Sequence, residues 1–489
     1  MAKLKGAVPT IKMTPTRTLK SAGRAQSSYG RNQMQPGDVK TLQDAKAIVE
    51  DRHATQVKVG AFDIDGVLRG KYMSRDKFLS ALEHGFGFCD VVFGWDSNDQ
   101  LYDNVEFTGW HTAYPDAWAR IVPESCREIP SEGNILFFLC EFTGRTESIC
   151  PRGLLRRVLK RADSLGFKVF AGCEFEFFMF QETPQSVREK NYRELKTITP
   201  GFFGYSVLRN SVMGEFYNDF MTYCQDLDMA MEGFHTETGP GVLEAALDVD
   251  EALRAADKAA LFKTFTKVYA ERHGMMATFM AKWSPDYPGQ SGHIHLSLQK
   301  SDGSSAFYDE SDTPHHLSET MRHFIGGQQA LMPEFLAMIA CTVNSYTRLV
   351  PGAWAPTAAS WGIENRTCAL RAIPGLPKSQ RVEYRISAAD INPYIALAAS
   401  LASGLWGIEN HIEPDSPIEG NAYDIAFTPE RQLPATLMEA ASRLRHSEVA
   451  RDYFGDAFVD HYAATREWEE REFRKAITDW EMQRYFEII

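Results

Sequence analysis

The sequence of 489 residues predicts an α+β fold built from two unequal parts. In the first part, residues 57–74 read as two strands joined at Asp65-Gly66, which is a strong hairpin signal. In the second part, residues 168–180 read as a long Phe-rich strand. Residues 392–408 are small and apolar throughout, which is typical of a buried helix. These three segments predict sheets with associated helices along the whole chain.

Composition limits the class of protein. The net charge of −13 argues against general nucleic-acid binding, and the sequence has no apolar run of about 18 residues that could span a membrane. The eight cysteines are dispersed and form no CxxC pair, which favours reduced thiols over disulfides or a zinc site. We therefore expect a cytoplasmic protein with neither a nucleic-acid nor a membrane partner.

Residues 1–40 are predicted to form a basic N-terminal arm. Seven Lys and Arg residues occur from Lys3 to Arg31, and no acidic residue precedes Asp38. The stretch lacks the apolar core of a secretory signal, and a mitochondrial-type presequence stays an alternative. We expect an arm that packs on an acidic neighbouring surface or is mobile.

The elements follow in order along the chain. Before residue 148 the patterns predict a small mixed sheet with one or two helices, starting with a helix over 41–52 and including a strand within 90–104. Pro151 and Gly166 then bracket a helix. Further helices are predicted at 206–229, 250–274, 314–340, 391–408 and 430–447, and from about residue 464 onward.

Acidic side chains and histidines recur in the predicted strands. Glu174 and Glu176 lie two apart in the strand 168–180, so both carboxylates point to one face. Such carboxylates are costly in an apolar stretch unless a positive group pairs with them, so metal ligation competes with a simple exposed face. Glu237 and Glu244 flank a Gly-Pro-Gly turn, and a glycine-rich turn leads to His293 and His295 at strand spacing.

Six cationic side chains are concentrated within residues 344–385, a segment interrupted by Gly and Pro. A solvated basic surface is one reading, and a pocket for polyanions is the other, because guanidinium groups bind carboxylate and phosphate oxygens two at a time. Carboxylates with an imidazole suit Mg²⁺ or Mn²⁺. Such metals facing arginines are what phosphoryl transfer requires, so the sequence predicts an ATP-using enzyme that activates an acid. The cations are Arg348, Arg366, Arg371, Lys378, Arg381 and Arg385.

Six ordered motifs resemble the glutamine synthetase family, type I branch, from about residue 50 onward. The resemblance implies a β-grasp domain over 41–148 and a catalytic domain over 149–489, built on a curved antiparallel sheet flanked by helices. It also implies a homo-oligomer, typically a dodecamer, with active sites between subunits. The motifs are CEFEFFMF, HTETGPGVLE, GQSGHIHLS, NSYTRLVPGAWAP, ENRTCALRAIP and KSQRVEYR.

The resemblance also implies roles for single residues, with ATP as co-substrate and roughly two or three divalent ions per site. Glu176, Glu237 and Glu244 resemble ligands of one metal, and Glu174, His293 and Glu383 resemble ligands of the second. Gly289 and His295 resemble substrate-pocket positions, Arg348 the clamp of the glutamate α-carboxylate, and Arg366 with Arg385 the holders of the phosphoryl group. Arg371, Lys378 and Arg381 resemble nucleotide-phosphate positions, and Asp96 resembles the aspartate that a neighbouring subunit adds to the ammonium site.

One departure changes the expected substrate. Family members that make glutamine carry PGYEAP, whose glutamate helps to deprotonate ammonium, whereas this chain has PGAWAP with Trp354 in that place. An indole cannot accept a proton and adds apolar surface. We expect a γ-glutamyl-amine ligase that uses an aromatic or bulky apolar amine. Ordinary glutamine synthesis and a catalytically silent assembly are the alternatives.

Overall fold

A computed structural model of the chain describes residues 34–352 and 354–489. The seven basic residues from Lys3 to Arg31 lie outside this described part, so the expectation for the arm stays a prediction. None of the helices within the described ranges is both long and apolar enough to cross a membrane.

The first sheet is mixed. Its described strands run in the order β2-β1-β6-β4-β3, with β5 added beside β6. Strands β1 and β6 pair in parallel, and β1 and β2 form the predicted hairpin around Gly66, whose φ of 78° suits a glycine. The elements are α1 (Leu42–Asp51), β1 (Gln56–Phe62), β2 (Leu68–Ser74), α2 (Arg75–His84), β3 (Phe86–Cys89), β4 (Asp116–Ile121), β5 (Arg127–Ile129) and β6 (Ile135–Phe142).

The prediction of a strand within residues 90–104 is wrong. The chain is extended before this segment, in β3, and then forms a 3-10 helix over Asp90–Phe93. Asp90 is buried there and accepts a hydrogen bond from the Thr108 hydroxyl at 2.7 Å. A buried acid held by a distant hydroxyl turns the chain away from the sheet, which local alternation cannot reveal.

The second sheet is larger, curved and mainly antiparallel. Its described strands run in the order β13-β14-β15-β12-β7-β9-β8, and the short strands β10 and β11 pair with β7. The long central strand β7 therefore carries most of the pairing. The strands are β7 (Phe167–Phe180), β8 (Met231–Thr236), β9 (Val242–Leu247), β10 (Asp250–Glu251), β11 (Met276–Thr278), β12 (Gly292–Lys300), β13 (Trp361–Ile363), β14 (Leu370–Ile373) and β15 (Arg381–Tyr384).

Helices flank this sheet. Three of them begin at other residues than predicted. The helix α8 begins at Glu319 rather than at 314, and α11 begins only at Leu437; the side chains of Ser318 and Thr436 cap these two starts. The helix α13 begins at Asp456 rather than near 464. The helices are α3 (Pro151–Ser164), α4 (Pro184–Glu189), α5 (Val207–Val212), α6 (Gly214–Asp226), α7 (Ala252–Arg272), α8 (Glu319–Phe335), α9 (Ser345–Arg348), α10 (Pro393–Glu409), α11 (Leu437–His446), α12 (Glu448–Phe454), α13 (Asp456–Phe473) and α14 (Asp479–Tyr485).

The predicted buried helix is α10, which packs directly on α8. Close approach needs glycines there, because a β-carbon on Gly327 would lie 2.2 Å from the Ser403 carbonyl oxygen. On the sheet, Phe175 and Phe177 of β7 turn towards this helical layer and stack with Phe262 and Phe279. Because side chains alternate, the acidic residues of β7 must lie on the other face. The predicted α+β fold is confirmed, while the domain boundaries 41–148 and 149–489 stay predictions.

Candidate functional site

A row of charged side chains crosses the open face of the second sheet. Strand register, rather than sequence proximity, brings these side chains side by side, because directly paired residues on one face stand about 4.5–5.5 Å apart at their β-carbons. The cross-strand pairs are Arg371 with Glu383, Glu383 with His295, Glu174 with His293, Glu176 with Glu244, and Glu244 with His235.

One end of this row joins two carboxylates to two imidazoles. His295 Nε2 lies 3.1 Å from Glu174 Oε1, and His293 Nδ1 lies 3.4 Å from Glu383 Oε1 and 3.5 Å from Glu174 Oε2. Burial opposes ionisation of Glu174, but hydrogen bonds and charge from both imidazoles outweigh it and lower its pKa. The pKa of Glu383 falls to about 2, because His293 and Arg385 outweigh the same burial. Both acids are therefore ionised and available as ligands.

Acidic side chains cluster at the other end of the row. Burial, and then repulsion from Glu176, Glu174 and Glu237, raises the pKa of Glu244 to about 9. Glu237 Oε2 is buried and receives no hydrogen bond from the described residues, with His235 Nδ1 3.8 Å away. Oxygen-rich clusters of this kind fit a hard divalent cation, which supplies the missing positive charge. The residues present therefore fit Mg²⁺ or Mn²⁺.

Sets of possible ligand atoms overlap along the row. Within each set, the atoms lie within 4.8 Å of one another. Glu174 and Glu244 belong to more than one set, so the described side chains could hold adjacent ions. The sets are Glu174, His295 and Glu383; Glu174, Glu244 and His293; and His235, Glu237 and Glu244.

Arginines close one side of the row. Arg371 donates to Glu364 Oε2 at 2.8 Å through Nε and to Glu383 Oε2 at 3.0 Å through Nη1, and Arg385 also pairs with Glu383. Arg348 is buried and donates to the Ile386 carbonyl at 2.9 Å. Burial lowers the pKa of Arg348 to about 10 despite the nearby Glu176 carboxylate, so the guanidinium stays charged at neutral pH.

A cavity of about 220 Å³ continues from this row. Glu174, His295, Lys378 and Arg381 are among the residues that line it. Arg381 donates through Nε to His295 Nδ1 at 3.2 Å, and Lys378 is exposed. The cavity therefore connects the imidazole end of the row to the positive charges of Lys378 and Arg381.

Three predicted site residues do not lie in the row of charged side chains. Among the described residues, Asp96 makes no hydrogen bond or ion pair to the carboxylates, and it accepts instead from Trp468 Nε1 at 3.2 Å. Trp354 is 67% exposed with a left-handed φ of 55°. Arg366 is exposed, and its positive charge partly offsets the burial that raises the pKa of Tyr205.

Sequence reasoning missed His235 and Tyr205. The two rings stack with centroids 4.3 Å apart, and His235 Nε2 lies 3.9 Å from Glu244 Oε2. His235 stands two residues before Glu237, so strand alternation could have placed both on one face. Tyr205 lies in an exposed apolar segment that gave no comparable signal.

A curved antiparallel sheet, with carboxylates and imidazoles beside arginines on one face, is the arrangement of a metal-dependent ligase. The chain belongs to the glutamine synthetase family, because residues 148–485 match the family model described as Glutamine synthetase, catalytic domain. The predictions of this family and of a carboxylate-amine ligase are confirmed.

Similar proteins match this chain over nearly its whole length. It is 46% identical to Type-1 glutamine synthetase 2 of Dictyostelium discoideum, over 88% of this chain and 84% of that protein. It is 38% identical to the glutamate–isopropylamine ligase of a Pseudomonas species, over 92% and 99%. It is 36% identical to the gamma-glutamylethanolamide synthetase GlnA4 of Streptomyces coelicolor, over 91% and 96%.

A solved structure of a GmaS/ADP complex has the same fold. It superposes with a TM-score of 0.78 at 26% identity, covering 90% of this chain and 99% of the other. The likeness therefore includes both sheets.

Proposed function

We propose that the protein joins the γ-carboxylate of glutamate to an organic amine at the expense of ATP. The observation that carries this proposal is the row of carboxylates and imidazoles beside arginines, combined with Trp354 in place of the family's flap glutamate. Two relatives, one named as a glutamate–isopropylamine ligase and one as a gamma-glutamylethanolamide synthetase, support an organic amine.

The reaction has two balanced steps. A γ-carboxylate oxygen attacks the terminal phosphorus of ATP, so that a C–O–P linkage forms and ADP leaves. The amine nitrogen then attacks the carbonyl carbon, the C–O bond breaks, phosphate departs and the nitrogen loses a proton. Splitting amide formation in this way replaces a poor leaving group with a good one.

Metal ions would be held by two sets of ligands, one of Glu176, Glu237 and Glu244 and one of Glu174, His293 and Glu383. When bound, such ions neutralise phosphate charge and polarise the bonds that react. The crowding that raises the pKa of Glu244 to about 9 supports cation binding at the first set.

The cationic residues divide between the two substrates. We assign Arg348 to the glutamate α-carboxylate, with Gly289 and His295 in the same pocket, and Arg366 with Arg385 to the transferred phosphoryl group. Arg371, Lys378 and Arg381 would hold nucleotide phosphates. The position of Lys378 and Arg381 around the 220 Å³ cavity supports this last assignment.

Apolar side chains support an aromatic or bulky apolar amine. Phe202, Phe203 and Tyr205 are exposed beside the acidic end of the row, where a β-carbon on Gly204 would lie 3.7 Å from Glu237 Oε1. Apolar surface exposed next to charged groups would otherwise be unfavourable, and an apolar amine would cover it. Trp354 adds a further exposed indole.

We propose that the active form is a homo-oligomer, a dodecamer, with active sites shared between subunits. Asp96 makes its hydrogen bonds away from its own chain's carboxylates, which supports a role in a neighbour's site. The C-terminal segment exposes Trp480, Phe486 and Ile489, which a partner subunit would bury. All eight cysteines are free, which supports a cytoplasmic location.

Ordinary glutamine synthesis is the second candidate, and the Dictyostelium relative named as a glutamine synthetase favours it. A catalytically silent structural assembly is the third candidate. Phosphate release with glutamate, ATP and Mg²⁺ should be measured with aniline, isopropylamine, putrescine and ammonium in turn. We expect the apolar amines to give the highest kcat/KM. A preference for ammonium would support glutamine synthesis, and no release with any amine would support the silent assembly.

A further inference from the structure

His235 stands at the acidic end of the row, although neither of the two ligand sets proposed above includes it. It lies on β8 directly opposite Glu244 of β9, and its Nε2 is 3.9 Å from Glu244 Oε2. Two ligand atoms that each lie about 2.1 Å from one ion are at most about 4.2 Å apart. The imidazole nitrogen and the carboxylate oxygen are therefore close enough to bind one ion together.

The contact made by the other ring nitrogen decides which nitrogen can bind a cation. His235 Nδ1 lies 3.1 Å from the carbonyl oxygen of Thr236. Because a carbonyl oxygen only accepts hydrogen bonds, Nδ1 carries the proton and Nε2 carries the lone pair. Histidines that ligate metals almost always donate their other ring N–H to a carbonyl, a carboxylate or water in this way. The half-buried ring of His235 therefore presents Nε2 as a ligand atom towards Glu244.

Tyr205 fixes the plane of the imidazole. The two rings stack with centroids 4.3 Å apart and planes 27° apart. The Tyr205 N–H donates to the Thr236 carbonyl at 2.7 Å, and the Ser206 N–H donates to Thr236 Oγ1 at 3.0 Å. Tyr205 is 69% exposed and has a left-handed φ of 54°, which is unfavourable for a bulky side chain. Core packing does not account for an exposed ring on a strained backbone, whereas holding His235 in place does.

We propose that His235 Nε2 is a further ligand of the ion at the acidic end of the row, and that Tyr205 is the positioning residue for this imidazole. The inference rests on the metal dependence proposed above. It adds one nitrogen to the carboxylate oxygens of Glu176, Glu237 and Glu244. Carboxylates suit Mg²⁺, whereas imidazole suits transition metals, whose affinity rises from Mn²⁺ to Co²⁺. His235 therefore shifts the preference of this ion site away from Mg²⁺ and towards metals such as Co²⁺.

The test is calorimetric titration of the full-length, metal-free protein with Co²⁺ and, separately, with Mg²⁺, in the absence of glutamate, ATP and amine. His235→Gln should weaken the binding of one Co²⁺ ion about tenfold or more. Binding of Mg²⁺ should weaken less, because the glutamine amide oxygen takes the place of the nitrogen and suits this ion. The ratio of the two affinities therefore reports the nitrogen ligand rather than a general disturbance of the site.

His273 offers a matched control just after α7. Its Nδ1 lies 2.7 Å from the Tyr269 carbonyl oxygen, and its ring stacks on that of Tyr269 with centroids 4.1 Å apart. It reproduces the surroundings of His235 except for the acids, since it forms no ion pair within the described part of the chain. Co²⁺ binding by His273→Gln should equal that of the unmodified protein.

Variants of Tyr205 test the positioning role without removing a ligand. Tyr205→Phe keeps the stacked ring and should bind Co²⁺ as the unmodified protein does. Tyr205→Ala should weaken the event that is sensitive to His235→Gln by about tenfold, because the imidazole is then free to turn. The position is exposed, so neither change removes core volume.

Each result decides between the possible roles. Unchanged Co²⁺ binding by His235→Gln, or an equal loss of Co²⁺ and Mg²⁺, would overturn the ligand assignment. Equal Co²⁺ affinities of Tyr205→Phe and Tyr205→Ala would overturn the positioning role. If the unmodified protein binds neither ion, the proposed metal dependence itself fails and this inference fails with it.

Discussion

Gly289 lies so close to Arg348 that a β-carbon on the glycine would stand 2.6 Å from the arginine Cγ. The Ala281 carbonyl oxygen, 2.9 Å from the same point, blocks escape to the other side. Gly289 therefore acts as the surface on which the stem of Arg348 rests, and the direction of the guanidinium depends on it.

Arg348→Ala is expected to raise the KM for glutamate by a factor of roughly 30 to 1000, because losing a charged carboxylate contact costs about 2–4 kcal/mol. Gly289→Ala should raise the same KM, by up to about 100-fold, since it displaces the arginine without removing it. Steady-state kinetics with glutamate and ATP varied separately make the measurement. The KM for ATP serves as the internal control, and an equal rise in both constants would contradict the assignment.

Glu237→Ala and Glu383→Ala should both abolish phosphate release. Their effects on stability should differ, because Glu383 is 2% exposed and pairs with Arg371 and Arg385, whereas Glu237 has no arginine partner among the described residues. Removing Glu383 takes from the buried Arg385 the carboxylate it pairs with among the described residues and leaves Arg371 with Glu364 alone, at a cost of about 3–5 kcal/mol. Thermal unfolding should show a clear loss for Glu383→Ala only. Near-normal phosphate release by either variant under limiting metal would refute its role.

Glu244→Gln should stabilise the protein in the presence of a chelator. Burial and the neighbouring carboxylates raise the pKa of Glu244 to about 9. At neutral pH the folded protein must therefore hold this side chain protonated, whereas the unfolded chain ionises it, and a glutamine carries no such cost. The same variant should lose the rise in Tm that Mg²⁺ or Mn²⁺ gives the unmodified protein, because bound metal stabilises by mass action. Glu271→Gln, at an exposed position on α7, is the control. A metal-induced shift that survives in Glu244→Gln would exclude this residue as a ligand.

Trp354→Glu should move amine preference towards ammonium. An alkylamine with a pKa of roughly 10 must lose a proton before it attacks, and a carboxylate can accept that proton, while aniline is neutral already. Each indole contact with an aromatic amine contributes about 0.5–1.5 kcal/mol, which the variant loses. The measurement is kcat/KM for aniline, isopropylamine, putrescine and ammonium.

Trp354→Ala separates the two effects of that change. It removes the indole without adding a proton acceptor, so use of aniline should fall while use of ammonium stays low. If the unmodified enzyme already prefers ammonium or putrescine, the apolar-amine proposal is wrong.

Deleting residues 476–489 should reduce the size of the particle in solution. This segment exposes Ile477, Phe486 and Ile488, and α14 makes an exposed ion pair to Arg193 through Asp479. Light scattering on the truncated and full-length proteins makes the comparison, and Arg193→Ala controls for the ion pair alone. An unchanged particle mass would place the subunit contacts elsewhere.

Much of the fold follows from local pattern. The Asp65-Gly66 hairpin, the apolar helix α10 and the shared face of Glu174 and Glu176 were predictable, because turn chemistry and side-chain alternation act over a few neighbouring residues. The 3-10 helix at Asp90–Phe93 was not, since its buried acid is held by Thr108, eighteen residues away.

The sequence by itself determined, through its motifs, the family to which the chain belongs, and it supplied the candidate residues for the proposed chemistry. Only the tertiary structure decided that β12 lies between β7 and β15, which places His295 opposite Glu383 and His293 opposite Glu174. It also placed His235 opposite Glu244 and the ring of Tyr205 against His235. Contacts between such distant residues depend on how whole strands and helices bury their apolar faces together. Local periodicity does not predict which strands and helices pack together.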